Sequence, residues 1–130
     1  MKEIDWSSLS FGYMKTDYNV RCWYRNGAWG EIEVSSEETL NIHMAATCLH
    51  YGQEAFEGLK AYRCPDGKVR VFRMDENAAR LQNSCRGIMM PELPSDLFEA
   101  MVTKVVRLNE AYIPPYESGA SLYIRPLLIG

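Results

Sequence analysis

The sequence lacks any apolar stretch long enough to cross a membrane. No hydrophobic run approaches the roughly 20 residues that a bilayer-spanning helix needs. The first ten residues, MKEIDWSSLS, contain one lysine and two acidic residues but no apolar core, so they do not form a secretory signal. These two absences predict a cytoplasmic protein without a membrane partner.

The common local patterns for metals, phosphates and nucleophiles are also missing. The four cysteines are scattered without a CxxC pair, which favours free thiols over a zinc site or a disulfide framework. His43 and His50 are too far apart for a local helical metal pair, so we expect no metal site. No GxxxxGK[ST] or GxGxxG phosphate loop occurs, nor a GxSxG nucleophile elbow.

The charge balance does not favour nucleic acid as a partner. Fourteen basic and seventeen acidic side chains give a net charge of -3, which provides no positive field for a phosphate backbone. A content of 47% hydrophobic and 24% charged residues is typical of a soluble globular protein. The length of 130 residues suits one domain.

Two hairpins are predicted in the first part of the chain. The segments VRCWYR and AWGEIEV flank Asn26-Gly27, a dipeptide suited to the positive backbone angles of a two-residue turn. The segments FEGLKAYR and KVRVFR are separated by CPDG, in which proline and glycine supply turn geometry. We therefore expect mainly antiparallel strand pairing.

Helical periodicity follows the hairpins. Apolar residues recur at helical spacing from Ala78 onward, and Asp75 or Asn77 can cap this helix. A second amphipathic pattern predicts a helix over about 95–112. The closing SLYIRPLLIG predicts a buried strand with Pro126 at a bulge or an edge. The predicted fold is α+β, a hairpin-rich, mainly antiparallel sheet packed with two helices.

The stretch YGQEAFEGLKAY carries the first candidate site. Strand alternation places Phe56, Gly58, Lys60 and Tyr62 on one face and the intervening residues on the other. A glycine within a strand indicates that another group approaches the backbone closely. Composition alone favours a core position over a pocket position for Phe56, and Lys60 is compatible with a side chain that extends from a sheet edge into solvent.

Basic residues elsewhere offer further candidates. Tyr123 and Arg125 share a face of the last strand, and a guanidinium buried there would need an anionic partner. Arg80 either forms an exposed ion pair with Glu76, four residues earlier, or grips an anion such as a phosphate. Aromatic residues and arginines placed around one cleft would form an apolar chamber with a few polar groups, the usual design of a small-molecule site.

Three blocks together resemble a known family. LHYGQEAFEGLKAYR, VFRMDENAARLQNSCRGIMMP and SLYIRPLLIG occur in the order found in the N-terminal part of branched-chain amino acid aminotransferases, pyridoxal-phosphate enzymes of fold type IV. The opening FGYMKTD resembles the FGxxxTD stretch of the same family. The resemblance runs from about Phe11 to Gly130, so it covers nearly the whole chain.

The resemblance implies a fold and a set of site residues. Residues 1–130 would be the small N-terminal domain, which closes over a cofactor held mainly by a larger C-terminal domain. Arg80 matches the arginine that grips the phosphate of pyridoxal 5'-phosphate. The residues implied for substrate binding are the aromatic walls Phe11, Tyr51, Phe56 and Tyr123, the close-approach glycine Gly58, the rim residue Lys60, and Arg125, which would receive the second carboxylate of glutamate.

The resemblance also implies what this chain lacks. The lysine that binds the cofactor aldehyde covalently and moves the substrate proton would lie beyond Gly130, as would the glutamate that contacts the pyridine nitrogen. No catalytic residue is therefore expected in this chain, and we predict that it is not a competent transaminase alone. The complete enzyme would be a homodimer in which Tyr51 reaches the neighbouring subunit's site.

The implied reaction transfers an amino group between leucine, isoleucine or valine and 2-oxoglutarate. Two activities of the same fold are alternatives: D-amino acid transamination and aminodeoxychorismate cleavage. The YIRP block and the aromatic walls favour the branched-chain reaction over both. A non-catalytic interaction domain on the same scaffold is a third hypothesis.

Overall fold

The computed structural model describes residues 4–6 and 13–130, so Phe11 lies outside the described residues. The fold is α+β, with small antiparallel sheets and helices, which confirms the predicted class. The strands are β1 Asn19–Arg21, β2 Tyr24–Arg25, β3 Ala28–Trp29, β4 Glu33–Ser35, β5 Glu54–Phe56, β6 Leu59–Arg63, β7 Val69–Val71, β8 Leu122–Ile124 and β9 Leu127–Ile129. The helices are α1 Thr47–His50, α2 Met74–Gly87 and α3 Ser95–Leu108, with 3-10 turns at Glu110–Tyr112 and Tyr116–Ser118.

Both predicted hairpins are confirmed. Around the first turn, β2 pairs with β3 and β1 pairs with β4, both antiparallel. Asn26 and Gly27 adopt φ values of 54° and 80°, the left-handed region that the turn requires. In the second hairpin β6 pairs with β7, and the Gly67 amide donates to the Cys64 carbonyl at 2.9 Å to close the turn.

The central sheet bends where we expected continuous strands. The strand predicted after Tyr51 is divided into β5 and β6, and the final strand is divided into β8 and β9. The two breaks lie side by side, because β5 pairs with β9 while β6 pairs with β8. Glu57 donates its backbone N–H to the Pro126 carbonyl across the bend at 3.0 Å. Pro126 has no N–H to return, so the ladder is interrupted there.

Helix α2 begins without the side-chain cap that we predicted. Its N-cap residue is Arg73, in the left-handed region at φ 53°, and no side chain caps the helix. Asp75 and Asn77 both lie inside the helix, so their assignment as caps is wrong. Asp75 instead places a negative charge in the first turn, where the helix dipole favours it.

Helix α3 is shorter than the predicted 95–112, since it ends at Leu108. Asn109, almost fully buried, accounts for the difference. Its side-chain oxygen accepts the backbone N–H groups of Asp17 and Tyr18 at 3.1 and 3.0 Å, and its amide donates to the Tyr18 carbonyl at 2.9 Å. These bonds fasten the segment before β1 to the end of α3.

The core lies between the two long helices and one face of the bent sheet. Helices α2 and α3 contact each other, and α2 also packs on β5. Among the described residues, no helix is both long and apolar enough to span a membrane. The main core residues are Ala55, Leu59 and Ala61 from the sheet, Ala78, Leu81 and Cys85 from α2, and Phe98, Val102 and Val106 from α3.

Candidate functional site

The two faces of β5 and β6 differ as the alternation predicted. Ala55, Glu57, Leu59 and Ala61 are buried against the helices. The other face points away from the core and exposes Phe56, Lys60 and Tyr62. The open question of whether Phe56 belongs to the core is therefore settled, because its ring lies on the exposed face.

Gly58 is needed because Tyr123 lies across the backbone of the bend. A Cβ atom at Gly58 would overlap the Tyr123 hydroxyl and would lie 3.1 Å from its Cζ atom. No substitution with a side chain fits there unless the tyrosine moves. The predicted close approach is thus present, and the approaching group is the Tyr123 ring.

Arg125 covers the aromatic rings of this face. Its guanidinium carbon lies 4.8 Å from the centre of the Phe56 ring and 5.5 Å from that of Tyr123. Such cation–π contacts contribute about 0.5–1 kcal/mol when exposed. The side chain is exposed, and no carboxylate among the described residues pairs with it. Its donors are accessible to an anionic ligand.

Five of the predicted site residues therefore share one surface. Lys60 lies opposite Tyr123 in the register of β6 and β8, so both side chains project from the same face. We call this surface the aromatic face. Its members are Phe56, Gly58, Lys60, Tyr123 and Arg125.

Tyr51 is not part of the aromatic face. It follows α1, its side chain is 84% exposed, and its ring lies 6.5 Å from that of His50. Phe11, the remaining aromatic candidate, lies outside the described residues. The structure thus gathers only part of the predicted aromatic wall.

Arg80 is held on the helix-facing side of the sheet by Glu57. Its Nε donates to both carboxylate oxygens of Glu57 at 2.8 and 3.0 Å, and its Nη2 lies 2.7 Å from Oε1. These bonds raise the pKa of Arg80 further above its already high ordinary value. The ion pair that we considered with Glu76 does not form. Glu76 lies instead 3.4 Å from Arg73.

Glu57 and Asn77 are site residues that sequence reasoning missed. The Asn77 side-chain amide donates to Glu57 Oε1 at 3.0 Å and to the Gly58 carbonyl at 3.2 Å. The Glu57 side chain is only 6% exposed. A carboxylate on the same strand face as three apolar residues was a signal of a buried charge, and a buried charge requires a partner.

The described site residues therefore divide into the aromatic face and Arg80, with Tyr51 outside the aromatic face. The Glu57 side chain, which binds Arg80, is buried, whereas Phe56 beside it in the bend between β5 and β6 is exposed on the aromatic face. The bend connects Arg80 to the aromatic face, because Glu57, which binds Arg80, lies between Phe56 and Gly58 in the chain. Among the described residues no cluster of His, Cys, Asp and Glu side chains has the composition of a metal site.

Comparison with known proteins gives close relatives along the whole chain. The sequence is 47% identical over 130 residues to a branched-chain-amino-acid aminotransferase of Haemophilus influenzae, and 45% identical to one of Helicobacter pylori. All of this chain is matched in both cases, but it spans only 38% of each relative's length. No protein-family model matches.

Solved structures that resemble this chain are also branched-chain amino acid aminotransferases. The branched-chain amino acid aminotransferase of Escherichia coli superposes with a TM-score of 0.64 at 31% identity, over 88% of this chain and 33% of that one. The corresponding enzyme of the archaeon Thermoproteus uzoniensis, solved with norvaline, gives a TM-score of 0.62 at 25% identity, over 85% of this chain and 32% of that one. The resemblance inferred from the three sequence blocks is confirmed.

Proposed function

Because this chain is homologous to branched-chain-amino-acid aminotransferases along its whole length, we propose that it is the small N-terminal domain of such an enzyme. Residues 1–130 form that domain, and a larger C-terminal domain completes the protein. The observation that carries the proposal is the 47% identity over all 130 residues to the Haemophilus influenzae relative.

The complete enzyme transfers an amino group between a branched-chain amino acid and 2-oxoglutarate, in two successive half-reactions. Its pocket must accept an apolar side chain in one half-reaction and a carboxylate in the other. The aromatic face suits both requirements. Phe56 and Tyr123 offer apolar ring surface, and Arg125 offers exposed guanidinium donors beside the rings. Lys60 adds a second positive charge on the same face.

Pyridoxal 5'-phosphate fits the donors present on the other side of the bend. Arg80 keeps part of its guanidinium exposed while Glu57 holds the rest, so its outward N–H groups can bind the cofactor phosphate. When bound, the cofactor withdraws electrons from the substrate and so eases removal of its α-proton. This chain's part is to bind the phosphate through Arg80 and to orient the substrate through the aromatic face.

We assign the proton transfer to a residue outside this domain. The lysine that binds the cofactor covalently belongs to the C-terminal domain, so the isolated chain has no transaminase activity. The enzyme is a cytoplasmic homodimer, and the high exposure of Tyr51 suits a side chain that contacts the neighbouring subunit's site.

The test is an amino-transfer assay with the purified, cofactor-loaded full-length protein that contains this chain. We expect transfer from leucine, isoleucine and valine to 2-oxoglutarate, with far slower reaction of D-alanine and aminodeoxychorismate. A loaded protein that prefers D-alanine or aminodeoxychorismate would support the alternative activities of the fold. A loaded protein that neither transfers an amino group from leucine, isoleucine, valine or D-alanine nor cleaves aminodeoxychorismate would support the third hypothesis, a non-catalytic domain on the same scaffold.

A further inference from the structure

The carboxylate of Glu57 is a buried charge on an otherwise apolar strand face. Its neighbours on that face, Ala55, Leu59 and Ala61, are all buried core residues. Taking a carboxylate out of water is unfavourable unless charged or hydrogen-bonding partners compensate for its lost hydration. An apolar side chain at this position would continue the core at no such cost, so the carboxylate needs an explanation beyond packing.

The hydrogen bonds of Glu57 explain why a carboxylate occupies this position. Both carboxylate oxygens are engaged on the Nε–Nη2 edge of the Arg80 guanidinium, and Asn77 donates to one of the oxygens as well. This edge-on pairing fixes the plane of the guanidinium. Among the described residues nothing bonds to Nη1 of Arg80, and the side chain is 66% exposed. The geometry therefore directs one edge of the guanidinium inward and leaves the other edge open.

We propose that Glu57, assisted by Asn77, is a positioning residue that orients Arg80 for the phosphate group of the cofactor. This inference rests on the proposed function. An untethered arginine would have to lose the freedom of several side-chain bonds when it grips an anion. Glu57 restricts that freedom before the phosphate arrives, so more of the interaction between Arg80 and the phosphate appears as affinity.

The same contacts tie the phosphate site to the substrate surface. Glu57 lies between Phe56 and Gly58 in the chain, and Asn77 bonds both the Glu57 carboxylate and the Gly58 carbonyl. Arg80 is therefore fixed relative to the bend that carries the aromatic face. A cofactor held at its phosphate by Arg80 has a defined position relative to the substrate bound on that face.

The experiment compares ligands with and without the phosphate. The apo form of the full-length protein is titrated with pyridoxal 5'-phosphate and with pyridoxal, for the native protein and for Glu57→Gln. We expect affinity for pyridoxal 5'-phosphate to fall about tenfold, the low end of the effect of removing a group that orients a ligand-binding side chain. Affinity for pyridoxal should change less than about twofold, because that ligand does not engage Arg80.

Two further variants define the outcome. Glu92→Gln is the matched control, an exposed carboxylate that pairs with Arg86 near the other end of α2, and it should leave both affinities unchanged. The double variant Glu57→Gln/Arg80→Ala should bind pyridoxal 5'-phosphate no more weakly than Arg80→Ala alone, since Glu57 acts only through Arg80. If Glu57→Gln does not fold, Asn77→Ala replaces it, with a smaller loss that is again specific to the phosphate.

Equal weakening of both ligands would show that Glu57 is only structural and would overturn the inference, as would no change in either. The proposed function fails separately, through the absence of amino transfer from leucine. A protein that binds pyridoxal 5'-phosphate with the expected dependence on Glu57, yet does not use leucine, would keep the inference and reject the substrate.

Discussion

Arg80 and Arg125 are two exposed arginines on opposite sides of one bend, and they are held in different ways. Arg80 is fixed by the buried carboxylate of Glu57, whereas Arg125 lies over the rings of Phe56 and Tyr123 without a carboxylate partner among the described residues. The ion pair fixes the direction of the Arg80 guanidinium, whereas the contacts with aromatic rings leave the Arg125 guanidinium free to move. The proposed phosphate site of Arg80 binds one kind of ligand and suits the first arrangement, and the proposed substrate pocket beside Arg125 accepts two kinds of side chain and suits the second.

The largest expected effect is on the rate of one half-reaction and tests the role of Arg125. In the full-length enzyme, Arg125→Met should slow the half-reaction of glutamate about 100-fold, because a charge-assisted contact with its side-chain carboxylate is lost. The leucine half-reaction should change less than about threefold, since that side chain is apolar. Rapid measurement of cofactor absorbance with each substrate alone gives both rates. An equal loss in the two half-reactions would contradict the role of Arg125, and Arg70→Met on β7 is the control.

The next largest effect is a difference in stability between variants of Arg80 and variants of Arg125. Arg80→Ala should lower the midpoint of urea unfolding clearly, because it leaves the buried Glu57 carboxylate without its cationic partner. Arg125→Ala should leave the midpoint nearly unchanged. Arg86→Ala is the matched control on α2. Its Nη1 atom lies 2.7 Å from Glu92 Oε1, and the exposed Glu92 carboxylate remains hydrated after the change. If Arg80→Ala and Arg86→Ala gave the same small shift, Glu57 would not depend on Arg80.

A third change tests the crossing of Tyr123 over the bend. Gly58→Ala should destabilise the protein by about 0.5–1.5 kcal/mol, the cost of forcing a side chain away from its rotamer, because the new Cβ overlaps the end of the exposed Tyr123 side chain, which must shift. Gly87→Ala, at the end of α2 with open space around it, should cost nothing measurable. The penalty of Gly58→Ala should shrink when Tyr123→Ala is also present. A penalty that stays the same in that background would mean that backbone conformation, and not the ring, demands glycine.

The smallest expected effect concerns an exposed ion pair, that of Asp66 with Arg70. Asp66 accepts from Arg70 at 2.9 and 3.1 Å and from the Lys68 amide at 3.0 Å, and these bonds lower the pKa of Asp66 below its ordinary value. Its folded pKa lies below the unfolded one, so its contribution to stability is present above the unfolded pKa and is lost as the pH falls through the folded pKa. Asp66→Asn should therefore lower the unfolding midpoint slightly at pH 7, and the difference from the native protein should shrink as the pH falls through the folded pKa of Asp66. A difference that does not change with pH would assign the effect to the turn backbone.

Sequence patterns predicted the features that depend on near neighbours. Alternation along β5 and β6 gave the correct face for Phe56 and Glu57, and Asn26-Gly27 gave the first hairpin turn. Both rules follow from local backbone geometry. The residues of the aromatic face could therefore be grouped by strand before their arrangement was known.

The missed features depend on partners far away in the chain. Local spacing favoured Glu76, four residues earlier, as the partner of Arg80, but the carboxylate that binds Arg80 is 23 residues away, in the bend between β5 and β6. The end of α3 was missed for the same reason, since the partners of Asn109 are 91 and 92 residues earlier. The sequence did predict a weakened strand at Gly58 and a bulge or edge at Pro126, but that the two breaks lie side by side required knowledge of which strands pair.

The buried amide of Asn109 has a consequence for how the chain folds. It joins the last turn of α3 to residues 17 and 18, so these bonds close a loop of about ninety residues. Contacts so distant in sequence form slowly, and they form when the intervening segments are already compact. We therefore expect the amino-terminal hairpin to attach to a helical layer that has already condensed.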